Sequence, residues 1–174
     1  MRFLLSILIA LLLLPSASAF ALSSEQKGAI SQNCNAIKTS LSSLQKTDSK
    51  TRVLLGTSYQ AVLANFLTPL NIRLVKANRS DANLSTTQAN IASEWSTFQE
   101  QFIKYSQSLE SLIAIDCKNN PDDFYTSLEQ TRSYRKSLDK TAIKINKLIN
   151  SSVNTVTSLR DSLSQKSENQ NGSL

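Results

Sequence analysis

The sequence contains no histidine, and only three glycines, three prolines and two cysteines in 174 residues. Without histidine there is no imidazole to act as general base or zinc ligand, so a Ser-His-Asp site is excluded. Gly28, Gly56 and Gly172 are isolated from one another and cannot build a phosphate-cradling loop. So few glycines and prolines also argue against a sheet protein, whose strands are punctuated by turn residues. Aromatic residues make up 6% of the chain and do not interleave with the basic ones. That argues against a nucleic-acid surface built on base stacking.

Long apolar runs are scarce as well. The run Phe3 to Leu14 is broken only by Ser6; it follows Arg2 and leads through Pro15 into Ala17-Ser18-Ala19. This layout predicts a signal peptide over residues 1–19, with Ala19-Phe20-Ala21 offering a second cleavage site two residues later. The run is roughly half the ~20 residues of a spanning helix, so a retained anchor is the weaker reading. The expected localisation is secreted or extracytoplasmic, in a periplasm or at a cell surface. The remaining length suits one domain, expected over residues 22–165, followed by a disordered polar tail at 166–174.

What the chain does have is apolar side chains at helical spacing. Ile91, Trp95, Phe98, Phe102, Tyr105, Leu109 and Leu112 alternate four and three apart, which places them on one stripe of a helix. Ile30, Cys34, Ile37, Leu41 and Leu44 make a second stripe, continued by Leu55, Tyr59, Val62 and Phe66. A third runs from Phe124 through Leu128, Leu138, Ala142, Ile145, Ile149, Val156 and Leu159 to Leu163, with Thr131, Arg135 and Ser152 in register. Such stripes must cover one another. The predicted fold class is all-α, an elongated antiparallel three-helix bundle with coiled-coil-like packing. The alternative is four helices, with a break near Asp48 in the polar stretch Lys46 to Thr51.

Cys34 and Cys117 allow a single intramolecular disulfide, against the alternative of two buried thiols. A first helix running to Leu67, a connector over 68–85 and a second helix from Thr86 would bring Cys34 level with about residue 119. A turn at Asp48 would instead leave Cys34 level with Phe102, roughly 22 Å of helix away from Cys117. The bond therefore favours the long first helix. Pro69 opposes its continuation, and Asn120-Pro121-Asp122-Asp123 marks the start of the last helix with a cap, a first-turn proline and two carboxylates.

The feature least explained by packing is a basic row on that last helix. Arg132, Lys136, Lys140 and Lys144 stand four apart, Lys147 follows, and Arg135 flanks them. These six are candidate contacts for an anionic surface, weighed against a solvated face that keeps a rod soluble. Trp95, Phe98, Phe102 and Tyr105 could line a ligand pocket, but such a row usually belongs to the core. No metal site, no cofactor site and no catalytic residue is expected.

Four pieces of the chain, Cys34-x-x-Ile37-Lys38, Thr51-Arg52-Val53-Leu54-Leu55-Gly56, Pro69-Leu70-Asn71-x-Arg73-Leu74-Val75-Lys76 and Ile115-Asp116-Cys117, form a further pattern. It resembles an uncharacterised group of small exported helical proteins of ultrasmall host-attached bacteria. The resemblance implies an envelope or surface setting and assigns no functional residues. The expected function is a non-enzymatic exported protein acting by protein contacts at the cell envelope, with self-association as one form of such contact. The alternatives are a peripheral binder of anionic membrane or wall polymer, and a carrier of an apolar ligand between helices; nucleic acid is not an expected partner.

Overall fold

The computed structural model describes residues 22–171, with side-chain surroundings described through residue 165. The expected signal peptide at 1–19 lies outside the described residues. The helical elements are α1 (Ser24–Gln32), α2 (Cys34–Ala61), a π-helical stretch (Val62–Leu67), α3 (Thr68–Lys76), α4 (Ala82–Ala114) and α5 (Pro121–Asn171). The fold is all-α, with no strand among the described residues.

Ser23 opens α1 with a reciprocal cap, its Oγ accepting from Gln26 N–H at 3.2 Å and the Gln26 side chain accepting from Ser23 N–H at 2.9 Å. Asn33 alone separates α1 from α2. Helix α2 passes Asp48 without interruption, and the chain changes register at Val62–Leu67 instead. There Thr68 N–H bonds the Leu63 carbonyl, five residues back. The cause is Pro69, which has no N–H to donate and whose ring would meet the carbonyl four residues back in a regular α-helix. One wider turn leaves Pro69 in the first turn of α3, where its missing N–H does no harm.

The expectation that helix ends at Leu67 is thereby corrected, and so is one position of its stripe. The extra residue of the π turn rotates the following side chains, so that Leu67 is fully buried and Phe66 is 48% exposed. Helix α3 closes on Asn78, whose φ of 51° is the left-handed conformation a short amide side chain tolerates. Arg79 N–H bonds the Leu74 carbonyl at 2.9 Å and Asn78 N–H bonds that of Val75 at 3.0 Å, a Schellman closure.

Helix α4 begins a turn earlier than Thr86, because Asp81 is the cap and accepts from Leu84 N–H at 2.8 Å. Leu84, expected ahead of the helix, is inside it and fully buried. Asp116 shapes the turn into α5 by accepting from Lys118 N–H and from the Asn119 side-chain amide, which holds its carboxyl below the ordinary range. Helix α5 starts at Pro121 as expected and continues to Asn171, so residues 166–171 of the expected tail are helical. Residues 172–174 lie outside the described set.

Side-chain pairs give the directions. Ser108 meets Thr131, Gln101 meets Thr141 and Glu94 meets Lys144, so α4 and α5 are antiparallel. Asp48 meets Tyr105 and the Tyr59 ring stands edge-on to Phe98 at 5.5 Å, so α2 and α4 are antiparallel too. Between them Ile91, Phe98, Tyr105, Leu112, Leu138 and Ile145 are at most 2% exposed, recurring at sevens along their helices. Cys34 and Cys117 are bonded with Cα atoms 5.5 Å apart across a separation of 83 residues, which ties the start of α2 to the turn between α4 and α5.

Candidate functional site

Halfway along α2 the inward positions between Leu44 and Leu55 are Asp48 and Arg52, buried at 7% and 9% exposure. Both face α5. Arg135 donates to Asp48 through Nε at 2.8 Å and through Nη2 at 3.3 Å, while Arg52 donates to Asp139. In each pair the α2 partner is the buried one: the side chains are 10% exposed for Asp48 against 42% for Arg135, and 10% for Arg52 against 47% for Asp139. The Tyr105 hydroxyl donates to Asp48 Oδ2 at 2.8 Å and completes the layer from α4.

Their surroundings hold Tyr105 and Arg135 in their protonated forms. Burial first, and the bond to Asp48 second, push the Tyr105 phenol up and out of its usual range. The bond to Asp48 likewise holds the Arg135 guanidinium above its ordinary value. Neither Tyr105 nor Arg135 is therefore poised to exchange a proton near neutrality.

Both ion pairs join residues 87 apart, so they set one register between parallel helices. Sliding α2 by one turn brings Asp48 opposite Asp139 in one direction, and Arg52 opposite Arg135 in the other. Like charges in a desolvated seam oppose both slips, the best-attested use of buried polar groups. One flaw remains, for Arg52 Nε is buried without an acceptor, as is Trp95 Nε1.

This layer is the part of the site that sequence reasoning missed: the favoured long first helix passes through Asp48, but Asp48 figures there only as the place of an alternative break and not as an inward charge. A signal was present: eleven residues separate Leu44 from Leu55, and 48 and 52 divide that interval into helical steps.

The basic row is split by the fold. Arg135 turns inward to Asp48, Lys144 pairs with Glu94 at 2.5 Å, and Arg132 pairs with Glu129 at 2.6 Å. Lys136, Lys140 and Lys147 are exposed on the outer side of α5 with no ion-pair partner among the described residues. Ile143 stands among them, 55% exposed.

The aromatic row is likewise divided. Phe98 and Tyr105 are core, while Trp95 and Phe102 are half-buried beside Val53, Gly56 and Ile103 in a groove of about 270 Å³ between α2 and α4. Further spaces lie in the seam between the first helical run and α5. One of about 400 Å³ sits beside Ile30, Ile37 and Phe124, another of about 180 Å³ beside Leu41, Leu44 and Leu128. A third of about 380 Å³ lies near the other end, between Leu70 and Leu74 of α3 and Val156, Leu159 and Leu163 of α5.

Among the described residues no cluster of histidine, cysteine, aspartate or glutamate is placed to hold a metal, and no helix is long and apolar enough to cross a membrane. No family model, curated protein or solved structure matches the chain.

Proposed function

We propose that the protein is a non-enzymatic exported rod, a three-stranded antiparallel bundle counting α1 to α3 as one bent strand, that acts through protein contacts at the cell envelope. The observation that carries the reading is where large apolar side chains remain uncovered. Phe66, Ile72 and Val75 are 48%, 50% and 60% exposed at the connector end, where Val153 and Leu163 of α5 are 51% and 38% exposed. Five of the nine large apolar side chains left exposed among the described residues lie toward this end, a concentration that suits an interaction surface. The charges that enter the bundle, by contrast, are taken up by one another.

The test is cross-linking of the tagged mature protein in its own envelope fraction, beside a variant carrying Phe66→Ser, Ile72→Ser and Val75→Ser. The expected result is a defined adduct with the parent protein that the variant loses. An identical adduct pattern for both rejects this surface. Sedimentation over a wide concentration range decides whether the partner is a second copy.

A second reading rests on Lys136, Lys140 and Lys147, which have no ion-pair partner among the described residues and stand on one face of α5 around exposed Ile143. Three such charges near an anionic surface are worth roughly a hundredfold in binding, lost with rising salt. Replacing all three by Gln removes that gain, measured by vesicle co-sedimentation at low ionic strength. Unchanged binding rejects the reading.

A further inference from the structure

Above the charged layer, the seam between the first helical run (α1 and α2) and α5 is lined largely by apolar side chains but not filled by them, and Tyr105, Leu109 and Leu112 of α4 back its lower part. Its two spaces, of about 400 and 180 Å³, share Leu128 and Arg132 and are therefore neighbours. Together they reach the volume range of small-molecule sites, about 300–1,000 Å³. Along α5 they extend from Phe124 to Arg135, roughly 16 Å at ~1.5 Å per residue. The Asp48–Arg135 bridge closes the lower end.

The shape and charge choose the occupant. Carbon–carbon bonds of ~1.5 Å advance about 1.25 Å each along an extended chain, so the roughly 12 Å of α5 between Arg132 and Phe124 matches an acyl chain of about ten carbons. Arg132 borders both spaces and uses Nη1 for Glu129, which leaves further guanidinium donors for an anion. We propose that this cleft binds one single-chain anionic amphiphile, its tail along Ile37, Leu41 and Leu128 and its head at Arg132. The site stands apart from the protein-contact surface at the connector end, so either can fail without the other.

The experiment is a titration of the full mature protein with saturated carboxylates of increasing length, read by native mass spectrometry and by displacement of a fluorescent fatty acid. One molecule binds per chain, and affinity rises roughly fourfold per methylene before levelling at about ten carbons. Ala29→Phe, at an exposed position bordering the cleft, shortens the length at which affinity levels. Leu128→Trp abolishes binding where circular dichroism shows the fold retained, and if that variant does not fold, Ala29→Phe decides alone.

Arg132→Gln weakens the carboxylate about tenfold and leaves the alcohol of equal length unchanged. Comparison with a single-chain phosphate ester tells a free fatty acid from a lysolipid as the head. No saturable binding at any length, or a plateau that Ala29→Phe does not move, overturns the proposal.

Discussion

The seam between α4 and α5 and the seam between α2 and α5 share a helix yet are built by different means. Across the first, small side chains such as Thr131, Thr141 and Ala142 alternate with Leu138 and Ile145, letting the helices approach closely around fully buried Ile91, Phe98 and Leu112. Across the second, long charged side chains span the distance, and spaces remain above and below them. The difference teaches that one seam holds by filling volume and the other by matching charge. Volume filling is strong but indifferent to sliding by a heptad, whereas opposite charges 87 residues apart define one alignment.

If that contrast is right, the charged seam depends most on its covalent end. Reducing Cys34–Cys117 releases a separation of 83 residues and is expected to lower stability by about 4 kcal/mol at most, as read from denaturation with and without reductant. A shift below ~1 kcal/mol would mean the ion pairs and apolar contacts hold the seam unaided.

Next comes an asymmetry within the layer. Asp139→Ala strands the buried Arg52 guanidinium and should destabilise by about 3 kcal/mol. Arg52→Met leaves behind a carboxylate that is 47% exposed and removes an unpartnered Nε, so its cost should stay within about 1 kcal/mol. Equal losses in urea titrations would refute the assignment of α2 as the buried side.

Alkaline pH probes the same layer from α4. The Tyr105 phenol lies above its ordinary 10.0 when folded, chiefly through burial, and Tyr59 moves the same way for the same reason. A folded pKa above the unfolded one contributes stability that is complete below about pH 10 and is lost as pH rises beyond it. The urea midpoint should therefore fall between pH 9 and pH 11. Tyr105→Phe should cost about 1–2 kcal/mol at neutral pH, by removing the donor to Asp48, and should flatten that fall. The smallest effect belongs to the volume-filled seam, where Asp81→Ala removes the cap of α4 for about 1 kcal/mol without changing the alkaline profile.

The stripes on α4 and α5 were legible because their apolar residues recur at fours and threes with few substitutions. The disulfide was legible because two cysteines have one partner each. Less legible was the middle of α2, where inward positions carry Asp48 and Arg52 and a composition-based reading sees only a polar patch. Arg135 was seen in register with the third stripe and still counted with the surface row, since an arginine at a seam position has meaning only beside its carboxylate. Pro69 was expected to end a helix, because a sequence does not reveal when neighbouring packing will support a π turn instead.

By itself, the sequence determined the helical class, the absence of imidazole chemistry and the approximate lengths of the stripes, because periodicity and composition are local properties. Tertiary structure decided which charges are buried, which lysines stay free, and where the seam stands open. Those outcomes depend on the distance between helices, and that distance is set by side chains far apart in the chain acting on one another.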